Sequence, residues 1–221
     1  IVQLLYTRNA GFTRKEIVEN LKITDGGRLS RNINALISSD FITKYVPFGF
    51  GKREEHYKLI DPFCNFYWHF IKNQEKQNSK FWQQNTTSAA VSAWRGYAFE
   101  NVCFNHVEQI KFALGIPAVV TESSAWSKKE DDTEGMQIDL LIKRNDNVIN
   151  MCELKFYSGP FKVSKDYYAK MLRRQSVLAE MVSPKMAIHS TLITAFEPIK
   201  NEYSGVFVKN IVLDDLFKET L

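Results

Sequence analysis

Apolar residues in the first third of the chain recur at the spacing of two short helices. Residues 13–16 read TRKE, the form of a capping box, in which the Thr and Glu side chains satisfy each other's backbone N–H groups at a helix start. Residues 24–27 read TDGG, a turn, and a second amphipathic stretch follows it. The pattern predicts a helix, a short turn and a second helix. The residues predicted to be buried are Ile17, Val18 and Leu21 in the first helix and Leu29, Ile33, Leu36 and Ile37 in the second.

A strand-like pattern follows these helices. Residues 41–46 are rich in β-branched and aromatic residues, and residues 56–60 read as a returning strand after a glycine-containing turn. A hairpin directly after a helix-turn-helix predicts a winged helix. A further helix is predicted to begin at Asp61-Pro62, because Pro suits the first helical turn. Its predicted buried stripe consists of Phe63, Phe66, Tyr67 and Phe70.

The remaining two-thirds of the chain predict a second domain. Residues 73–80 are entirely polar and are predicted to be a linker, so that the domains cover residues 1–75 and 76–221. The second domain shows helical spacing first, then three short apolar runs, then a long helix and a last strand. This order, α-β-β-β-α-β, predicts a mixed α+β or α/β fold with antiparallel middle strands. The predicted helices cover residues 89–112 and 164–181, and the predicted strands cover residues 118–121, 136–142, 148–154 and 187–195.

Three charged residues interrupt the apolar strands of this second domain. Asp139 is the one carboxylate of its strand, and Glu153 and Lys155 lie on one face of the next, about 7 Å apart along it. The separation 153 − 139 = 14 fits a hairpin that returns Glu153 next to Asp139. Charges in such strands are costly to bury unless they are paired or bind a metal. One interpretation is a self-satisfied ion pair of Lys155 with a carboxylate; the other is a Mg²⁺ site, because two carboxylates against one Lys leave spare negative charge.

Composition and charge exclude few classes of function. Hydrophobic residues make up 44% and charged residues 24%, as in ordinary globular proteins. Net charge is +4: residues 1–75 hold 11 basic and 8 acidic residues (+3), and residues 76–221 hold 18 and 17 (+1). This excess is too mild to indicate a nucleic-acid partner by itself.

The ends and the cysteines of the chain suggest its context. No run approaches the ~20 apolar residues that cross a bilayer, which predicts a soluble, cytoplasmic protein. Cys64, Cys103 and Cys152 form no recognisable framework and are predicted to be buried thiols. The chain begins at Ile1 and has no Met before Met136, so we expect the C-terminal piece of a longer protein.

The charged residues in their order resemble a nuclease motif. Asp139 followed by Glu153-Leu154-Lys155 resembles the D-x(n)-(E/D)-x-K core of the PD-(D/E)xK nuclease superfamily, although Ile138 stands where the superfamily has Pro. More narrowly, the winged helix, the aromatic helix, a GYAFE helix and the pair QIDLLI…CELK look like the C-terminal region of a prokaryotic AAA-type ATPase family. In that family a P-loop domain comes first and the tail is a domain of unknown function.

The resemblance implies roles for particular residues. Asp139, Glu153 and Glu100 would ligate Mg²⁺ or Mn²⁺, with the Leu154 carbonyl adding an oxygen. Lys155 would orient the attacking water or stabilise charge that develops on the phosphate. DNA and the P-loop ATPase domain would be the partners. This chain contains no GxxxxGK[ST], so the ATP site would lie outside it.

Other polar residues are candidates with two interpretations each. Arg28, Arg31 and Asn34, with Ser30 beside them, are predicted on the exposed face of the second helix, and Lys52 and Arg53 at the wing tip; they either contact DNA or form solvated surface. Tyr157, Lys170 and Gln175 are second-rank candidates near the site, and His106 is a metal ligand or a structural partner of its helix. The chain is therefore predicted to be a metal-dependent DNase domain with a winged helix. The alternative is a non-catalytic module that recognises DNA or protein.

Overall fold

The chain forms two compact units, residues 1–97 and residues 98–221. A computed structural model describes residues 1–72, 80–128 and 136–219. The boundary predicted at residues 75/76, and all but the last residue of the predicted linker, lie outside the described residues. Within the described ranges, no helix is both long enough and apolar enough to span a membrane.

The first unit begins with helices on a small antiparallel sheet of order β1-β3-β2. The predicted capping box is present: the Thr13 side chain accepts from the Glu16 N–H, and Glu16 accepts from the Thr13 N–H. Leu29 and Ile33 are buried in its core, as predicted for the second helix. The elements are α1 (Val2–Tyr6), β1 (Phe12–Thr13), α2 (Arg14–Leu21), α3 (Gly27–Ser38), β2 (Ile42–Tyr45) and β3 (His56–Leu59).

An aromatic cluster completes this unit. Asp61 caps the next helix and Pro62 occupies its first turn, as predicted. The predicted buried stripe is wrong in part, because Phe66 pairs with buried Phe70 whereas Phe63 is 66% exposed. Residues four apart in a helix share a face, so this segment presents two aromatic pairs on two faces, and the outer one, Phe63 with Tyr67, meets solvent. The elements are α4 (Pro62–Phe66), a π-helical turn (Tyr67–Ile71), α5 (Phe81–Asn85) and the first half of α6 (Ala89–Asn105).

The second unit is a mixed sheet with helices, an α+β architecture. Its five strands lie in the order β4-β5-β6-β7-β8; β4, β5 and β6 are antiparallel, and β6, β7 and β8 are parallel. After the second half of α6, the elements are α7 (Val107–Ala113), β4 (Thr121–Lys128), β5 (Met136–Arg144), β6 (Val148–Lys155), α8 (Lys165–Met181), β7 (Ala187–Thr194) and β8 (Lys209–Val212).

Three elements of this unit differ from the prediction. The strand predicted at residues 118–121 is wrong: residues 118–120 belong to the turn region after α7, and the strand is Thr121–Lys128. This strand lies at the edge of the sheet and reads TESSAWSK, so an apolar run did not reveal it. The helix predicted at residues 89–112 breaks at His106 into α6 and α7, and the short strand β8 was not predicted.

The core of the second unit lies between the sheet and the α6–α7 segment. Alternate residues of β5 and β6 project into this core. The residues between them include Glu153, which contacts Arg174 of α8. The core residues are Phe99, Cys103, Ile110, Leu140, Ile142, Cys152, Leu154, Ile193, Ile211 and Leu216. Cys103 and Cys152 are buried as predicted, whereas Cys64 is partly exposed.

Candidate active site

The antiparallel pair β5–β6 brings Asp139 next to Glu153. Leu140 lies opposite Cys152 in this antiparallel pair. Asp139 precedes Leu140 and Glu153 follows Cys152, so the two carboxylates lie on neighbouring positions of the two strands. The backbone N–H of Leu154 donates to Oδ2 of Asp139 at 3.3 Å. A side chain of β5 is thus held by the backbone of β6, at the point where β6 carries its charged residues.

A bulge in β5 lies at Asp139. Ser124 pairs with Leu141, and two residues further along β4, Trp126 pairs with Ile138. Between these pairs β5 has two residues, Asp139 and Leu140, where β4 has one. A bulge redirects a side chain and is often found beside active sites. Simple alternation along the strand does not predict this local geometry.

Glu153 is a buried carboxylate held by several donor groups. It is 2% exposed, and its Oε1 accepts from Lys155 Nζ at 2.8 Å and from the Tyr167 hydroxyl. Its Oε2 accepts from Nη1 of Arg174, which is also buried. Both oxygens therefore have donors, and two of the donor groups are cationic. Such pairing offsets the cost of burying the charge.

The surroundings of Asp139 disfavour its ionised form. Burial, together with the nearby carboxylates of Glu153 and Glu100, raises the pKa of Asp139 to about 7. Lys155 and the Leu154 N–H act in the opposite direction but do not offset these effects. Either protonation of Asp139 or a cation bound beside it therefore lowers the free energy of this site.

The charge of Lys155 is stabilised by its neighbours. Burial alone would lower the pKa of Lys155, but the charge and hydrogen bond of Glu153, with Asp139 further off, raise the pKa above its usual value. Lys155 therefore stays protonated at neutral pH. Burial, followed by Glu153, also raises the pKa of Tyr167, which remains a hydrogen-bond donor.

Arg174 changes the predicted charge balance. The prediction of two carboxylates against one Lys is incomplete, because this guanidinium is a second buried cation bound to Glu153. Negative charge stays in excess only when Glu100 is counted with Asp139 and Glu153. On α6, Glu100 lies close enough for its charge to raise the pKa of Asp139.

The sequence contains a signal for Tyr167 and Arg174, the two partners of Glu153 that were not predicted. Tyr167, Met171, Arg174 and Leu178 follow one another at steps of four, three and four residues along α8. This spacing marks one face of a helix, so an Arg within it indicates a buried partner on the sheet.

The donor chemistry of the cluster suits a hard divalent cation. Mg²⁺ takes oxygen ligands and is commonly held by one or two carboxylates, with water in the other positions. Asp139 and Glu153 supply such a pair of carboxylates. Among the residues that the structure describes, no three Asp, Glu, His or Cys side chains stand close enough together to hold a metal ion. The ligand set Asp139, Glu153 and Glu100 stays a prediction.

The second predicted site lies in the first unit. Arg28, Arg31 and Asn34 are exposed on α3, and Lys52 and Arg53 are exposed in a 3-10 turn between β2 and β3.

A small hydrogen-bond network fixes the turn before α3. Arg14 forms an ion pair with Asp25 at 2.6 Å and donates to Ser30 at 3.0 Å. It thereby fixes the turn between α2 and α3. Ser30, predicted on the exposed face, is partly buried by this contact.

The second-rank candidates have local partners. Gln175 donates to Oγ of Ser190 at 2.7 Å and so ties α8 to β7. The ring of Tyr157 is half-exposed and stacks on another aromatic ring, and Lys170 is exposed. His106 lies between α6 and α7, with Nδ1 2.7 Å from the Val102 carbonyl oxygen.

Comparisons with known proteins give little further guidance. No family model and no curated protein matches the chain. One solved structure, a protein of unknown function, AF1548, is similar over 52% of this chain, with 13% identity and a TM-score of 0.33. The chain spans 64% of the length of that structure. None of these comparisons assigns the chain to a family.

Proposed function

We propose that residues 98–221 hold a metal-dependent phosphodiesterase centre of the PD-(D/E)xK type that cleaves DNA. The observation that carries this proposal is the contact between the Asp139 carboxylate and the Leu154 amide, directly beside Glu153 and Lys155. Two acidic groups and one amine on adjacent strands form the minimal set for such chemistry.

Each residue has a distinct task in this proposal. Asp139 and Glu153 would hold Mg²⁺ or Mn²⁺ with the Leu154 carbonyl, and Glu100 would add negative charge. When bound, such a cation lowers the pKa of its water and polarises the phosphodiester. Lys155, kept protonated by Glu153, would orient the attacking water or stabilise charge on the phosphate.

The first unit would be a winged helix that contacts DNA. Its element order, two helices joined by a turn and followed by a hairpin, supports this proposal. Exposed Arg28, Arg31 and Asn34 would meet the DNA from α3, and Lys52 and Arg53 from the wing. The preceding P-loop ATPase domain, which only the sequence resemblance implies, stays a prediction.

One observation favours a second candidate, a non-catalytic module on a nuclease-like fold. Both oxygens of Glu153 are bound by protein donors, so this carboxylate could serve only to fix α8 on the sheet. In that case the chain would recognise DNA or protein without cleaving it.

A nicking assay separates the two candidates. Supercoiled plasmid is incubated with MnCl₂ and the wild-type chain, Asp139→Ala or Asp146→Ala. Asp146 is an exposed Asp in the turn of the same hairpin and is the matched control. If the chain is a nuclease, we expect metal-dependent nicking that Asp139→Ala abolishes and Asp146→Ala retains. Equal background nicking by all three proteins supports the non-catalytic module.

A further inference from the structure

A half-exposed tyrosine is connected to the charged cluster through two other aromatic rings. Tyr157 is 50% exposed and stacks on buried Phe161, with centroids 5.3 Å apart and planes at 22°. Phe161 meets Tyr167 edge-on at 5.3 Å, and the Tyr167 hydroxyl binds Glu153. Tyr157 therefore presents an aromatic surface that is backed by packed rings and lies close to the proposed centre.

The sheet places a second exposed aromatic residue at the same edge. β6 and β7 are parallel and pair Lys155 with Thr194, so their carboxyl ends coincide. Tyr157 follows Lys155 by two residues, and Phe196, which is also exposed, follows Thr194 by two. Two aromatic side chains thus leave the sheet where Lys155 ends its strand.

The residues that follow Phe161 in the chain form one wall of a groove. Its volume of about 610 Å³ is within the range of small-ligand sites, about 300–1,000 Å³. Its walls come from the loop before α8 and from a segment after β7, and Ser164 on its wall caps the helix that carries Tyr167. The residues that line it are Lys162, Val163, Ser164, Asn201, Glu202 and Tyr203.

We propose that this edge binds an unpaired nucleotide, with its base stacked on Tyr157 and its sugar and phosphate along the groove. The substrate of the centre is then single-stranded or locally unpaired nucleic acid, an inference that rests on the proposed function. Aromatic side chains bind unpaired bases because every base has a π-face, whereas in an intact duplex these faces are covered by neighbouring bases. The polar lining of the groove suits a sugar, and Lys162 would meet a phosphate at the end of the groove away from the carboxylate of Glu202.

Binding without cleavage tests this proposal. Fluorescence anisotropy of a labelled oligo(dT) strand and of a blunt duplex of equal length is measured in EDTA, so that metal-dependent cleavage does not occur. We expect Tyr157→Ala to weaken strand binding about tenfold, or about 1.4 kcal/mol, and to leave binding of the duplex, which the proposed winged helix would supply, unchanged. Tyr157→Phe keeps the ring and should bind like the wild type.

A matched control shows whether the effect is specific. Tyr67 is also exposed and stacks on a phenylalanine, Phe63, in the other compact unit, and Tyr67→Ala should leave strand binding unchanged. A strand that carries 2-aminopurine should lose fluorescence on the wild-type protein and retain it on Tyr157→Ala, because stacking quenches this base. Unchanged strand binding by Tyr157→Ala, or an equal loss of affinity for strand and duplex, overturns the proposal.

The outcome is independent of the nicking assay. If Asp139→Ala and the wild type give equal background nicking while Tyr157→Ala still loses strand binding, the nuclease proposal fails and the single-strand site stands. If nicking depends on Asp139 while Tyr157→Ala binds and cleaves normally, the centre stands and the stacking site fails.

Discussion

The guanidinium of Arg174 and the carboxylate of Glu153 form a buried ion pair between α8 and β6, in which Nη1 donates to Oε2. Lys155 and Tyr167 bind the other oxygen of the same carboxylate. The pair fixes the position of the helix on the strand that carries the candidate site. One side chain therefore supports the helix and, in the proposed function, would also hold the metal.

Removal of Arg174 should destabilise the second unit. In Arg174→Met, Glu153 keeps Lys155 and Tyr167 but loses its buried guanidinium, and breaking such a pair costs about 3–5 kcal/mol. Urea denaturation followed by circular dichroism measures the free energy of unfolding. Lys165→Met, at an exposed position of the same helix, is the control and should change it by less than about 1 kcal/mol. Equal losses in the two variants would show that the pair adds no stability.

The stability of the second unit should depend on the ionisation of Asp139. The folded chain raises the pKa of this carboxyl from its ordinary 3.8 to about 7, so folding favours its protonated form. The resulting stability is complete below about pH 4 and is lost as the pH rises through about 7. Asp139→Asn keeps the side chain neutral and can still accept from the Leu154 N–H.

The free energy of unfolding of Asp139→Asn should therefore increase relative to that of the wild type as the pH rises. We expect the difference in free energy of unfolding to change in its favour by on the order of 2 kcal/mol between about pH 5 and about pH 8. The measurement is urea denaturation across this range in EDTA. A wild-type curve parallel to that of Asp139→Asn would contradict the raised pKa.

Mn²⁺ should stabilise the folded protein through the two carboxylates. A ligand at a hundredfold excess over its Kd stabilises by about 2.7 kcal/mol, which raises Tm. Asp139→Ala and Glu153→Gln should lose this increase, whereas Asp146→Ala should keep it, and EDTA should reverse it. Differential scanning fluorimetry measures each Tm. The same Tm increase in all variants would place the bound Mn²⁺ elsewhere.

The basic side chains of α3 should contribute to DNA affinity as phosphate contacts. The double substitution of Arg28 and Arg31 by Gln should weaken binding to duplex DNA and reduce the slope of log K against log salt by about two. Lys15→Gln removes an exposed cation from α2 and is the control. Fluorescence anisotropy over a salt series measures the slopes. An unchanged slope in the double variant would identify these arginines as solvated surface.

The sequence by itself determined the local elements and the identity of the central charges. The capping box of Thr13 and Glu16 and the apolar stripe of α3 depend on neighbours only a few residues apart, so they are readable in order along the chain. Asp139, Glu153 and Lys155 were identifiable because a charge in an apolar strand needs a partner. Apolar spacing likewise predicted the ends of β5, β6 and α8 to within a few residues of their observed positions.

The tertiary structure alone decided what surrounds those charges. The bulge at Asp139 depends on the register with β4, an edge strand too polar for its pattern to be recognised. The pairing of Glu153 with Arg174 joins residues 21 positions apart. Such contacts depend on how α8 packs on the sheet, and the side-chain period along one segment does not identify which residue of another segment is the partner. The pKa of Asp139 follows from the same packing, because burial and distant carboxylates set it.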